Sequence, residues 1–252
     1  MNADSIQIHL NSKFATSYNN LHMSDCTFQL PVIEAQSGHT ILLSVLHTII
    51  QYSFYSVNSS NNMLYYTEYL AIPPVSTTVY ITPGNYTAYQ LVAYLTNALP
   101  RTIVTYDSII NKITFTNSIN NFKILSAYST CHNLLGLANN DLYNTSVGNY
   151  LTMPGQLNLA QTKLINVVSN FSSCCISNIE NNEHDILCCV PVNTNPYSLI
   201  QYTNYNNFKI NLNTNNINFI NIKLMNQDGN SLELNQQYFS ITLQLDIVNF
   251  TE

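Results

Sequence analysis

Phe239-Ser-Ile-Thr-Leu-Gln-Leu-Asp-Ile247 alternates apolar and polar side chains along its length, and Asn218-Phe-Ile-Asn-Ile-Lys-Leu224 does nearly the same. A period of two is the mark of a strand with one buried face. Gln227-Asp-Gly-Asn230 between them is a strong turn signal. Working outward, the same β-branched and aromatic enrichment predicts strands at Cys26–Leu30, Ile41–Tyr55, Met63–Leu70 and Val75–Thr82. Arg101–Tyr106 and Lys112–Thr116 read as a hairpin, with Phe122–Ser126 after it. In the second half, Thr162–Asn170, Ser173–Asn178, Asp185–Val192, Leu199–Tyr202, Phe208–Leu212, Ile217–Met225 and Tyr238–Val248 continue the pattern.

One segment departs from it. Thr87–Leu99 is predicted as a helix, with Thr87 as N-cap, Leu91, Val92, Leu95, Ala98 and Leu99 on one face, and Pro100 as the stop. A second short helix is predicted over Cys131–Leu137, ended by Gly136 or Asn139. Many short strands, polar loops and one inserted helix near residues 87–99 define an all-β fold, a sandwich or jelly roll. No linker, charge block or tandem repeat interrupts the 252 residues, so one domain is expected.

Charge is scarce. Only 8% of residues are Asp, Glu, Lys or Arg, against about 25% in an ordinary soluble domain. Asn, with 39 copies, and Tyr, with 18, supply the polar surface instead. Such a surface costs less to desolvate and suits lasting contact with other subunits. Seven basic residues against thirteen acidic ones, with no basic cluster, argue against nucleic-acid binding. The longest apolar run, Ile41–Ile50, is half the roughly 20 residues of a membrane helix. Met1–Leu10 carries no secretion pattern, so the six Cys are expected reduced.

The sharpest chemical constellation is two Cys pairs, Cys174-Cys175 and Cys188-Cys189, around the polar loop Asn178–Asp185. In a symmetric hairpin Cys174 faces Cys189 and Cys175 faces Cys188, which raises a four-thiolate zinc site. Neighbouring residues on a strand point to opposite faces, so at most two thiols share a side. The pairs also lack the two-residue spacing of zinc ribbons, so small buried residues are the expected reading, with no metal and no cofactor. His9, His22, His39, His47, His132 and His184 are scattered, with His47 expected in the core or at an interface. Glu180, Glu183 and Asp185 form the one acidic cluster, on a predicted loop. No phosphate loop and no nucleophile elbow is present, and no catalytic residue is assigned.

Several stretches carry a resemblance to a known family. They are Ser12-Lys-Phe-Ala-Thr16, Asp25-Cys-Thr-Phe-Gln-Leu30, Gln51-Tyr-Ser-Phe-Tyr-Ser-Val-Asn58 with Asn61-Asn62, and Ile81-Thr-Pro-Gly-Asn-Tyr-Thr-Ala-Tyr-Gln-Leu91. Ile113-Thr-Phe-Thr116, Leu134-Leu-Gly-Leu137, Ile186-Leu-Cys-Cys-Val-Pro-Val-Asn193, Ile200-Gln-Tyr202, Gln227-Asp-Gly-Asn-Ser-Leu-Glu-Leu-Asn235 and Tyr238-Phe-Ser-Ile-Thr-Leu243 follow in order. Together they make nearly the whole chain resemble the penton proteins of virophages and polinton-like viruses. The resemblance implies a single jelly roll over residues 1–252 with a short N-terminal arm, about residues 1–12. It implies a homopentamer at the fivefold vertices of an icosahedral capsid, beside trimers of the major capsid protein, in a virion assembled inside the host cell. Another single jelly-roll minor capsid protein remains open. So does a receptor- or glycan-binding module using Tyr-rich segments such as Tyr65–Tyr69 or Tyr202–Tyr205. A jelly-roll enzyme would need a His/Glu metal set, which the sequence lacks.

Overall fold

The computed structural model describes residues 4–69, 74–99, 101–143, 149–171 and 185–249. The first strands are β1 (Asp4–Asn11), β2 (Ser17–Tyr18), β3 (Asp25–Glu34) and β4 (His39–Gln51). Then come β5 (Met63–Glu68), β6 (Val75–Tyr80), helix α1 (Ala88–Ala98), β7 (Thr102–Asp107), β8 (Lys112–Asn117) and β9 (Phe122–Ile124). A one-turn helix α2 (His132–Leu135), β10 (Leu142–Tyr143) and β11 (Tyr150–Thr152) follow. The last strands are β12 (Leu164–Ser169), β13 (Asp185–Pro191), β14 (Leu199–Thr203), β15 (Ile210–Asn211), β16 (Asn216–Asn226) and β17 (Phe239–Asn249). Contacts divide the chain into two compact units, Met1–Phe54 with Thr162–Glu252, and Tyr55–Gln161, each with its own hydrophobic core. The predicted strand Ser173–Asn178 lies outside the described residues.

The first unit is a jelly roll. One of its sheets runs β1-β17-β4-β14, with β15 added on β4, and the other runs β13-β12-β16-β3-β2. Leaving out the two-residue β2 and β15, its strands in chain order are β1, β3, β4, β12, β13, β14, β16 and β17. The sheets then hold the first, eighth, third and sixth strands, and the second, seventh, fourth and fifth, which is the double Greek key of a jelly roll. The alternation read from the sequence decides what each strand buries. Phe239, Ile241, Leu243 and Leu245 of β17 and Ile217, Ile220, Ile222 and Leu224 of β16 face one core, joined by Ile41, Leu43 and Ile50 of β4.

The expectation of an N-terminal arm is corrected over residues 4–11. They are the first jelly-roll strand, paired with β17 from Asp4↔Ile247 to Asn11↔Ser240. Ile6 and Ile8 pack against the core and Leu10 is buried in it, so this stretch is an edge strand of the sandwich, paired with β17 on one side.

The second unit is inserted between β4 and β12, the third and fourth jelly-roll strands. It holds two small sheets, β10-β9-β5-β6 and β11-β8-β7. The predicted helix forms within a residue at each end, but as part of this unit and not of the sandwich. Gln90 N–H donates to Thr87 Oγ1 at 3.2 Å and Thr87 N–H to Gln90 Oε1 at 2.9 Å, a reciprocal cap that satisfies two orphan donors. Leu91 and Leu95 are fully buried. Helix α2 ends at Gly136, whose φ of 72° is left-handed, and Gly155 N–H donates to Gly136 O at 2.9 Å where two backbone segments touch.

One polar network is buried in this unit. Asn117 Nδ2 donates to Glu68 Oε1 at 2.7 Å, and Asn120 Nδ2 donates to the same oxygen at 2.9 Å. Tyr66 Oη and Thr102 Oγ1 lie 2.7 Å apart beside them. Asn117 Oδ1 accepts from the Ile119 and Asn120 N–H groups, both at 3.0 Å, and so fixes the turn after β8.

Candidate interface surface

The β7–β8 hairpin ends in Asp107-Ser-Ile-Ile-Asn111. Asp107 Oδ1 accepts from Ile109 N–H at 2.9 Å, and Asn111 takes a left-handed φ of 55°, so the turn is held by its own polar residues. That geometry presents the isoleucines instead of packing them. Ile109 is 93% exposed, and Ile110 and, further along β7, Ile103 are exposed as well. Burying one such side chain is worth about 1.5–3 kcal/mol, so this tip is a candidate contact surface.

The sheet β10-β9-β5-β6 turns Leu64, Tyr66, Val79, Phe122 and Ile124 into the core of its unit. By the two-residue period, Tyr65, Tyr80 and Lys123 occupy its other face. Tyr143 stands opposite Lys123, whose Nζ lies 5.6 Å from the ring centre. The Tyr128 ring lies 5.5 Å from that of Tyr65. Tyr80, Tyr128 and Tyr143 are exposed, giving an amphipathic face with one cation among its rings.

In the jelly-roll unit, the outer side of β17 carries a buried carboxylate. Lys209 Nζ lies 2.8 Å from Asp246 Oδ2, Gln244 Nε2 donates to Asp246 Oδ1 at 2.9 Å, and the Ser5 hydroxyl donates to the same oxygen. Burial alone would raise the Asp246 carboxyl. The hydrogen bonds from Lys209, Ser5 and Gln244 and the Lys209 charge outweigh it and hold the group below its ordinary value of 3.8. A lowered folded pKa contributes stability that is complete above the unfolded value and is lost as pH falls through the folded one. Asp246→Asn is therefore expected to flatten the loss of jelly-roll stability below about pH 4, measured by denaturant midpoints from pH 2 to pH 7. An unchanged slope would contradict the assignment.

Of the Cys constellation, Cys174 and Cys175 lie outside the described residues, with His184, Glu180 and Glu183. The described register pairs β13 with β12, opposing Cys188 to Val167 and Cys189 to Asn166. The expected pairing of Cys188 and Cys189 with Cys174 and Cys175 falls outside the described residues. Burial, then the neighbouring Cys189, push the Cys188 thiol up to about 12. Among the described residues no group of three or more His, Cys, Asp and Glu is placed to hold a metal ion. His47 is exposed, 3.2 Å from Thr203 Oγ1, and not in the core. Tyr65–Glu68 and Tyr202–Thr203 lie in β5 and β14, within or at the end of strands read from the sequence, and Tyr205 is 90% exposed. The exposed isoleucines at the hairpin tip went unnoticed in the sequence. Their only signal is an apolar pair where a turn calls for polar residues.

The topology defines a jelly-roll protein carrying a separate folded unit in the connection between its third and fourth strands. Among solved structures the fold is that of the mavirus penton protein, with a TM-score of 0.55 at 11% identity over 97% of this chain and 100% of that one. A chain of the Sputnik virophage structure solved by cryo-EM at 3.5 Å aligns over 98% of both chains at 13% identity, with a TM-score of 0.46. No family model and no curated protein matches the sequence. No helix among the described residues is long and apolar enough to cross a membrane.

Proposed function

We propose that this chain is a structural capsid protein whose five copies form the vertex of an icosahedral virus particle, beside trimers of the major capsid protein. The observation that carries this reading is the likeness in fold to the mavirus penton protein over 97% of this chain and all of that one, so that both compact units fall within the aligned length. The surface supports it independently. A vertex subunit is buried on several sides, and this chain has few charges to desolvate, exposed isoleucines on a hairpin tip and a tyrosine face. Its role is packing and not catalysis or nucleic-acid binding, and its place is the virion, assembled within the host cell. Light scattering of the purified protein is expected to give five times 28.5 kDa. A stable dimer or trimer would contradict the proposal, because a closed fivefold ring is built from one heterologous contact repeated.

A further inference from the structure

The jelly-roll unit contains a pocket of about 320 Å³ at the start of β16. That is the low end of the range for small-ligand sites. Its lining holds no ionisable side chain. Asn170, Asn213, Asn216 and Asn218 line it together with Ile217, which is buried, and Phe219, which is 45% exposed. Eight residues line it in all, and four of them are Asn, three of these from the Asn-rich stretch 211–221. The amides of Asn213, Asn216 and Asn218 bond no described side chain or backbone group. Asn170 Oδ1 accepts from Asn221 N–H at 2.8 Å and from the Ser169 hydroxyl at 3.3 Å, and its Nδ2 donates to no described residue.

We propose that this pocket binds a neutral saccharide. Each Asn amide offers two donors and one acceptor oxygen, the complement of paired sugar hydroxyls. The half-exposed Phe219 ring gives the apolar face of a pyranose a surface to lie on. Charged ligands find no counter-ion in the lining, and Glu34, in register with Asn216 on β3, disfavours an acidic sugar. Such a site adds recognition of a glycosylated surface to the subunit, and it does not depend on the oligomeric state.

The test is calorimetric titration of the full-length protein with lactose, maltose and chitotriose, and with sialyllactose as the acidic counterpart. At least one neutral sugar is expected to bind, with sialyllactose weaker. Phe219→Ala is expected to weaken binding about ten-fold or more while leaving the melting temperature within a few degrees. Asn218→Ala, at an exposed position, serves as the second variant and is expected to weaken it too. Absence of binding by every neutral sugar at millimolar concentration would overturn the proposal. So would binding that neither variant changes, or a pocket that takes an extended uncharged peptide in place of sugars.

Discussion

Gly136→Val is expected to unfold the inserted unit while the jelly roll stays folded. Gly136 has a φ of 72°, and a Cβ there would lie 2.5 Å from Gly155 C, 2.6 Å from Gly155 O and 2.7 Å from Gln156 O. The left-handed backbone alone costs a branched residue about 1–2 kcal/mol. The contacts are with backbone, so relief requires the two segments to separate, which pulls the fully buried Leu134 and Leu135 from their core. The total should exceed about 4 kcal/mol, at the upper end for one substitution. Hydrogen exchange separates the units: amides of β7 and β8 should lose protection while those of β4 and β17 keep it. Gly38→Ala is the control, since Gly38 is also left-handed, with φ 83°, but has nothing within 4 Å of the added carbon. Equal protection in wild type and Gly136→Val would refute the packing described.

Asn117→Leu is the second large effect. Its amide is fully buried and gives the shortest bond to the Glu68 carboxylate, which is itself 3% exposed. Removing it leaves a buried carboxylate with one amide donor, and frees the Ile119 and Asn120 N–H groups from their acceptor. An uncompensated buried polar group costs about 1–3 kcal/mol, and more when charged, so about 3 kcal/mol is expected. Glu68→Gln in the same chain should return part of the loss, because the stranded charge is then gone. Denaturant melts of the two single variants and the double variant give the coupling energy directly. A cost under about 1 kcal/mol for Asn117→Leu would mean that water enters the site.

The strands were legible wherever one face is buried for long enough. β16 and β17 sit at sheet centres, and their alternation appears in the sequence almost unbroken. The helix was legible because Thr87, Gln90 and the Leu91, Val92, Leu95 stripe are all local signals. β1 carries the same period in Ile6, Ile8 and Leu10, yet it is short, lies on a sheet edge and leaves two of those residues half-buried. Its pairing with β17 spans the length of the chain, and no local signal encodes that. The division into two units was hidden for a related reason. The chain leaves the jelly roll between Phe54 and Tyr55 and returns at Thr162, and the four Ser among residues 53–60 lie inside a stretch whose aromatic and apolar residues read as continuous structure. The surface was legible in its chemistry, poor in charge and rich in Tyr and Asn. The particular faces were not, because an exposed isoleucine and a buried one look alike until the hairpin around them is built.

The measurement that tests the central claim most directly is cryo-EM of particles assembled with this chain, reconstructed with and without it. Density at the fivefold vertices that fits five copies of the jelly-roll unit, and is missing when the chain is left out, is the predicted result. Vertices that are unchanged without it, or copies of the chain found only away from the fivefold axes, would contradict the account.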